Sequence, residues 1–255
     1  MTLWPAEDIW QAVSPLLPEF TVEVLPEIDS SNSELMRRAR AGRLEPVLLV
    51  AERQTAGRGR LGRGWQSAAG DSLTFSLGMS LAPADWSGLS LAVGVSVAEC
   101  LHPAIRLKWP NDLWVADRKL GGILIETASI GDRGERRHAV VGIGLNIAPR
   151  PAGGLSTPPA ALRELDPDAD AGTALRQIAA PLVRTLQAFE QYGFRPFQAR
   201  FDARDALRDR PVILSDGTAG TAHGVSESGS LLVHTAAGMQ AVSSSEVSVR
   251  PADRP

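Results

Sequence analysis

The sequence has one cysteine, Cys100, among 255 residues, so a disulfide within the chain is excluded. No apolar run approaches the ~18 residues that a membrane-spanning helix needs. The N-terminus also lacks the basic segment followed by an apolar one that marks a secreted protein. We therefore expect a cytoplasmic protein without membrane association. Cys100 lies in the apolar stretch 89–101 and is expected to be a buried structural thiol rather than a nucleophile.

An excess of positive charge is also missing, because 26 Lys and Arg face 29 Asp and Glu, for a formal net charge of -3. Such a balance gives no general attraction for nucleic acid. No Ser-His-Asp or Cys-His arrangement is apparent, and the histidines lack the spacing of metal ligands. They are His102, His138, His223 and His234. Apolar residues make up 44% of the chain, which indicates a globular protein with a sizeable core.

Helical spacing of apolar residues and capping signals predict four helices. They cover residues 6–13, 31 to about 40, 89–101 and 173–192. Ser31 and Glu34 have the spacing of a capping box, in which two free backbone donors are satisfied reciprocally. Pro181 lies inside the last pattern and predicts a kink or a later start of that helix.

Apolar or alternating runs predict six strands before residue 150. They cover residues 47–52, 72–79, 105–109, 113–115, 120–127 and 138–147. The clean alternation within 72–79 predicts a half-buried strand. Short turns join the last four strands, and they include the polar connection 131–137. We therefore predict an α+β fold with a mixed, mainly antiparallel sheet and helices packed on it.

The sequence pattern changes at Pro211. From there, runs of four to six strand-like residues alternate with Gly-containing turns. This spacing predicts a small β-barrel. We place a domain boundary near Arg208, so that residues 1–208 form one domain and residues 209–255 a second.

The most informative segment is the loop at residues 57–65, Gly-Arg-Gly-Arg-Leu-Gly-Arg-Gly-Trp. Its glycines let the backbone approach an anion, and Arg58, Arg60 and Arg63 offer forked donors that match carboxylate or phosphate. A solvated basic loop, or an Arg-Gly contact to nucleic acid, is the alternative. No Gly-Lys-Ser/Thr follows, which excludes a P-loop, and no helix follows, which excludes a dinucleotide-binding fingerprint.

Three later segments place polar groups or glycines beside predicted strands. Lys-Trp-Pro-Asn-Asp at 108–112 sets a lysine, an amide and a carboxylate at a turn, which suits nucleotide and magnesium binding but also an ordinary turn. Lys119 begins an apolar strand with glycines at 121–122, and Gly142 and Gly144 repeat this pattern on the next strand. Two such strands predict a flat floor for a ligand, whereas a bulge or tight packing explains the glycines equally well.

Taken in order, five blocks resemble the biotin–protein ligase family. They are Asp-Ser-Ser-Asn at 29–32, the run 54–65, Lys-Trp-Pro-Asn-Asp at 108–112, Lys-Leu-Gly-Gly-Ile-Leu-Ile-Glu at 119–126 and Gly-Ile-Gly-Leu-Asn at 142–146. Residues 245–250 are similar to that family's final strand, so the resemblance runs from about residue 25 to 250. It implies the class II synthetase-like biotin/lipoyl ligase fold, followed by a small SH3-like β-barrel.

The resemblance implies an enzyme that activates biotin with ATP and Mg²⁺ to biotinyl-5′-AMP and transfers biotin to a lysine of a biotin carboxyl carrier protein or domain. The implied catalytic residues are Arg60, Lys108 and Lys119. The implied biotin-binding residues are Ser30, Ser31, Asn32, Gln54, Gly57, Arg58, Gly59, Arg60, Lys119 and Gly122. The implied ATP and adenylate residues are Arg58, Arg60, Arg63, Trp65, Asn111, Asn146 and Arg250, with Asp112 as the candidate magnesium ligand.

About 25 residues precede the first block, too few for the winged-helix domain of relatives that also act as repressors. The resemblance therefore implies a mono-functional ligase that does not bind DNA, and it leaves a homodimer open. Two rival functions are weighed against it: a lipoate or octanoate ligase or transferase of the same superfamily, and a non-enzymatic nucleic-acid-binding module. The loop at 57–65 and Lys-Trp-Pro-Asn-Asp at 108–112 favour biotin. The absence of Lys and Arg between Pro211 and Val249 disfavours nucleic acid.

Overall fold

The computed structural model describes residues 4–130, 136–153, 157–243 and 249–252. These residues form a seven-stranded sheet that carries helices and a five-stranded sheet near the C-terminus. The helices are α1 (Ala6–Val13), α2 (Ser31–Arg40), α3 (Leu89–Leu101), α4 (Ala171–Tyr192) and α5 (Gln198–Asp202). The strands of the large sheet are β1 (Thr21–Ile28), β2 (Val47–Gln54), β3 (Ser72–Leu81), β4 (Arg106–Lys108), β5 (Asp112–Val115), β6 (Arg118–Ser129) and β7 (Arg137–Asn146). Those of the small sheet are β8 (Pro211–Leu214), β9 (Ala219–Val225), β10 (Leu231–Thr235), β11 (Gly238–Val242) and β12 (Val249–Pro251).

The large sheet is mixed and mainly antiparallel, which confirms the predicted fold class. Its strand order is β1-β2-β3-β7-β6-β5-β4, and among the described strands β1 and β2 form the parallel pair. No sequence pattern predicts β1, because Pro26 interrupts it. An edge strand tolerates proline since one side of its backbone has no neighbour. The register accordingly pairs Leu25 and Glu27 with β2 and omits Pro26.

The helix α2 shows how a local signal can be misassigned by one residue. Its N-cap is Ser30, whose hydroxyl accepts a hydrogen bond from the backbone N–H of Ser33 at 3.3 Å. The predicted capping box of Ser31 and Glu34 is therefore wrong. Glu34 pairs instead with arginines one turn further along the helix. Ser31 is left free to turn its hydroxyl into the protein.

The helix α4 runs without a break through Pro181. It begins at Ala171 because the Asp170 carboxylate accepts a hydrogen bond from the N–H of Thr173 at 3.0 Å and caps it. The later start predicted from Pro181 is therefore wrong. Tertiary packing supplies most of the stability of a helix in a folded protein. The completely buried Leu182 and the residues around it compensate for the backbone donor that proline lacks.

The strand β3 lies inside the sheet, between β2 and β7, and is buried on both faces, so the prediction of a half-buried strand is wrong. Its apolar side chains, Phe75 among them, belong to the main core. The alternate positions carry small polar residues such as Thr74 and Ser76 and are covered by α2 and the neighbouring loop. Alternation marks the two faces of a strand, but a second covering element hides the polar face from solvent.

The C-terminal strands form an antiparallel sheet in the order β11-β10-β9-β8-β12. Closure of this sheet into the expected SH3-like barrel, and the domain boundary near Arg208, stay predictions. The turn between β9 and β10 packs against the start of α3 and against Trp109, which follows β4. There the Trp109 indole N–H donates to the Gly229 carbonyl at 3.0 Å, and Trp109 is completely buried.

Three remaining expectations concern particular segments. Cys100 is half-buried on α3 and packs at the edge of the core, and burial raises the pKa of its thiol. Most of the predicted connection 131–137 lies outside the described residues. Within the ranges that the structure describes, no helix has both the length and the apolar character needed to cross a membrane.

Candidate active site

A cavity of about 460 Å³ opens between the loop at residues 57–65, the N-terminus of α2 and the faces of β3, β6 and β7. This volume falls within the range of small-molecule sites, roughly 300–1,000 Å³. The sequence blocks from Ser30 to Lys119, far apart in the chain, therefore meet in one place. The predicted site residues that line the cavity are Ser30, Ser31, Asn32, Gln54, Arg58, Gly59, Arg60, Arg63, Trp65, Lys108, Asn111, Asp112, Lys119 and Gly122.

One part of the cavity wall is a buried network of mainly neutral hydrogen-bonding groups, with the carboxylate of Glu126 at its edge. The backbone N–H and the hydroxyl of Ser31 both donate to Oε1 of Gln54, at 2.7 and 3.0 Å. The Ser76 hydroxyl lies within hydrogen-bonding distance of Ser31 Oγ (2.8 Å) and Asn32 Oδ1 (2.6 Å). The carboxylate of Glu126 accepts from the Asn32 amide at 3.1 Å. Buried polar groups hold each other in fixed positions here and present amide and hydroxyl groups to a ligand.

Two glycines of β7 make room for side chains that arrive from other elements. A Cβ on Gly142 would lie 2.1 Å from Oδ1 of Asn32, and a Cβ on Gly144 would lie 2.5 Å from Cε2 of Trp65. The predicted flat floor is therefore partly occupied by the protein's own side chains. Gly122 pairs with Gly144 across the sheet and lines the cavity.

Both lysines of the chain, Lys108 and Lys119, line the cavity. The Lys119 ammonium forms an ion pair with Oδ1 of Asp112 at 2.7 Å. Lys108 is 8% exposed, and its ammonium lies 5.4 Å from the centroid of the Trp114 ring. Burial lowers the pKa of Lys108 to about 8, although the charge of Asp112 acts in the opposite direction. The charge of a bound anion would offset this desolvation penalty, so the site favours a negatively charged ligand.

The loop at residues 57–65 is closed by its own backbone. Arg58 and Gly64 form a β-bridge, and a short 3₁₀ turn over Arg60–Gly62 makes the tip. A Cβ at Gly57 would lie 2.3 Å from a backbone oxygen on the other side of the loop. Only glycine therefore allows the two arms to approach so closely.

The loop arginines reach across the cavity to opposite walls. Arg58 forms an ion pair with Glu126 at 2.5 Å and donates to the Ser33 hydroxyl at 3.1 Å. Arg60 donates to Oδ1 of Asn111 at 3.3 Å, and burial lowers the pKa of its guanidinium. The loop thus covers the cavity and brings positive charge over it.

Three predicted site residues do not line the cavity. Gly57 stands at the base of the loop, where its role is the close approach of the two arms. Asn146 is 2% exposed and donates to the carbonyls of Lys119 and Ala160, so it ties two chain segments together behind the wall. Arg250 lies exposed on β12, paired with β8. A direct contact of Asn146 or Arg250 with a ligand stays a prediction.

The structure also adds residues that the sequence patterns did not indicate. Ser76 and Thr74 occupy the polar positions of β3, and Thr74 accepts from the Trp65 indole N–H at 3.3 Å. The alternation of β3 indicates these polar positions, but the local sequence does not show that other elements cover this face. Arg150 lines the cavity from a loop rich in proline and glycine, where no local signal points to it.

Comparison with known proteins identifies the family. The model of the biotin/lipoate A/B protein ligase family matches residues 27–146, and that of the biotin protein ligase C-terminal domain matches residues 210–250. The bifunctional ligase/repressor BirA of Escherichia coli (strain K12) is 36% identical over 92% of this chain and 75% of its own length. The biotin–[acetyl-CoA-carboxylase] ligase of Paracoccus denitrificans is 34% identical over 88% of this chain and 98% of its own.

Solved structures agree with the sequence relatives. The biotin protein ligase from Aquifex aeolicus in complex with biotin and ATP superposes with a TM-score of 0.76 at 30% identity, covering 90% of this chain and 98% of that one. Its unliganded structure gives a TM-score of 0.71 at 25% identity. On the matched motifs, the shared architecture and the cavity, this chain belongs to the biotin protein ligase family.

Proposed function

We propose that the residues of the cavity have distinct roles in the two reactions of a biotin–protein ligase. These reactions are the activation of biotin with ATP and the transfer of biotin to a protein lysine. The chain is a ligase of this kind by its family. The observation that carries the assignment of roles is the convergence of a neutral polar network and several cations in one cavity of about 460 Å³. The network suits the ureido ring of biotin, and the cations suit its carboxylate and the phosphates of ATP.

The biotin head is bound by the network around Ser31. A ureido group offers two N–H donors and one carbonyl acceptor, and Ser31, Asn32 and Gln54 supply complementary groups within a nearly dry wall. Ser30 caps α2 and thereby fixes the N-terminus of the helix that carries Ser31 and Asn32. Buried polar groups that lose their partner cost free energy. A ligand without a ureido group, such as lipoate, lacks the donors and the acceptor that complement these groups, so the network favours biotin.

The carboxylate of biotin needs no general base, because a carboxyl group with an ordinary pKa near 4 is ionised at neutral pH. One carboxylate oxygen attacks the α-phosphorus of ATP, the bond to the β-phosphate breaks, and pyrophosphate leaves. The difficulty is the repulsion between two anions, which positive side chains relieve in a water-poor site. Arg60, Lys108 and Lys119 provide these charges, while Arg58 and Gly59 close the loop over the carboxylate.

The nucleotide lies at the Trp65 end of the cavity, where the ring offers a face for stacking with adenine. Arg63 and Asn111 bind the phosphates and the ribose. Asn146 and Arg250 contribute from further away. Mg²⁺ enters with ATP, and Asp112 is the carboxylate that would hold it. No cluster of three or more metal-ligating side chains occurs in the described ranges. A single carboxylate nonetheless fits Mg²⁺, which keeps waters and substrate phosphates among its ligands.

In the second reaction, the neutral amine of an acceptor lysine attacks the carbonyl carbon of biotinyl-5′-AMP. The bond from this carbon to the phosphate oxygen breaks, AMP leaves as an anion, and the nitrogen releases a proton to solvent. The acceptor is a biotin carboxyl carrier protein or domain. The loop at 57–65 keeps water from the reactive anhydride until the acceptor arrives. Residues 211–249 carry no Lys or Arg, which disfavours a nucleic-acid-binding module.

Biotin-dependent exchange of pyrophosphate into ATP tests the proposal. We expect exchange with biotin and none with lipoate or octanoate. Lys119→Ala and Arg60→Ala should each lower kcat/KM at least a hundredfold with little change in melting temperature. Arg43→Ala is the matched control, because Arg43 is exposed and lies outside the cavity. Exchange that responds to lipoate alone would overturn the proposed substrate.

A further inference from the structure

Arg150 is a second cation at the Trp65 end of the cavity, contributed by the loop that follows β7. The chain leaves β7 after Gly144 and Asn146 and returns to the cavity at Arg150. The Arg150 guanidinium carbon lies 5.4 Å from the centroid of the Trp65 ring. One guanidinium nitrogen donates to the Gln66 carbonyl at 3.1 Å. The side chain is therefore anchored on the segment that carries the stacking ring.

The charge of Arg150 has no acidic partner among the described residues, whereas two other cations of the cavity do. Arg58 is paired with Glu126 and Lys119 with Asp112. For Arg150, burial lowers the pKa of the guanidinium, and no nearby carboxylate acts in the opposite direction. Its Nε is buried without a hydrogen-bond partner in the described structure.

A half-buried guanidinium with an unpaired N–H donor is unfavourable unless a ligand supplies a negative charge and a hydrogen-bond acceptor, because both the charge and the N–H lose their water. The ligand has to be an anion, since guanidinium groups match phosphate and carboxylate oxygens. The biotin carboxylate already faces Arg60, Lys108 and Lys119 in the proposed arrangement. The anion next to Trp65 is then the polyphosphate of the nucleotide.

We propose that Arg150 is a nucleotide-binding residue, whose guanidinium packs on Trp65 and donates to a phosphate oxygen of ATP. This inference rests on the proposed function for the identity of the anion. It assigns to Arg150 the role of holding the phosphates while Trp65 holds the base. The two neighbouring side chains would thus bind the two ends of one ligand.

Arg150→Gln tests this, because glutamine keeps hydrogen-bonding groups but removes the charge. We expect the KM for ATP in biotin-dependent exchange, and the Kd for ATP measured by calorimetry, to rise about tenfold or more. The KM for biotin and the inhibition constant of adenosine, which has no phosphate, should stay unchanged. Arg150→Lys should recover part of the loss. Arg163→Gln is the control, because Arg163 also binds a carbonyl, that of Ala169, but lies outside the cavity lining.

Three results would overturn the inference. An unchanged Kd for ATP would show that Arg150 does not contact the nucleotide, and a lower Kd would show that it blocks the site. Equal weakening of ATP and adenosine binding would show that Arg150 acts only through Trp65. Calorimetry needs no turnover, so a chain that fails to exchange pyrophosphate would count against the proposed function, while ATP binding still decides the role of Arg150.

Discussion

Substitution of Gly144 by alanine should damage the nucleotide end of the site through Trp65. The new Cβ would lie 2.5 Å from Cε2 and 2.6 Å from Cζ2 of the ring. Carbon atoms prefer a separation of about 3.5–4.0 Å, so the ring must retreat by about 1 Å. A displacement of this size in an active site can cost about a hundredfold in rate. Because Trp65 is half-buried and belongs to a loop, the ring can move, and the stability cost should stay near the lower end of the ~1–3 kcal/mol typical of overpacking.

The assay is biotin-dependent pyrophosphate exchange, with KM measured separately for ATP and biotin. Gly144→Ala should lower kcat/KM for ATP by about a hundredfold and change the KM for biotin little. Gly142→Ala is the matched variant on the same strand: its Cβ would displace Asn32, so it should raise the KM for biotin first. In a Trp65→Ala background, Gly144→Ala should cost almost nothing further. A full additional loss in that background would refute the reasoning, because the glycine would then act on something other than the ring.

Three further predictions concern the lysines of the chain and the contact of Trp109. Burial lowers the pKa of Lys108 to about 8 from its ordinary 10.5, so its charge is complete well below pH 8 and is lost as pH rises through that value. We therefore expect kcat/KM for exchange to fall above about pH 8, and Lys108→Arg to shift this fall upward. Trp109→Phe removes the indole N–H that reaches Gly229 and leaves a buried carbonyl unpaired, so denaturant titration should show a free energy of unfolding lower by about 1–3 kcal/mol, and an unchanged value would refute the contact. The chain has only two lysines, Lys108 and Lys119, so prolonged incubation with biotin and ATP should add no biotin to surface side chains. Peptide mass spectrometry that shows biotin anywhere other than on the N-terminal amine or these two lysines would contradict this prediction.

Local patterns were sufficient for several elements and for the loop and lysine-bearing blocks of the candidate site, whereas the other site residues were implied by the family resemblance. The bounds of α1 and α3 follow from apolar spacing within one segment, and the strands from β2 to β7 follow from runs bounded by turns. The loop at 57–65 and the lysine-bearing blocks are recognisable because glycines, arginines and lysines stand at fixed short spacings. Such signals depend on neighbours in the chain, so they can be read from a single sequence.

Other features depend on contacts between residues far apart in the chain. Pro26 hides β1 until its pairing with β2 is seen, and Pro181 is tolerated because α4 is packed into the core. The alternation of β3 predicts that Ser76 lies on the outer face of the strand. In the structure α2 covers that face, so Ser76 becomes part of the site.

The glycines of β7 show the division most clearly. The sequence marks Gly142 and Gly144 as bare positions, but only the tertiary structure decides that Asn32 and Trp65 fill the space above them. Arg150 carries no local signal at all and becomes a site residue because the chain after β7 turns back to Trp65. Chemistry-bearing residue types and their short spacings are properties of the chain itself. Which side chains share a cavity, and which charge is left for a ligand, depends on long-range packing.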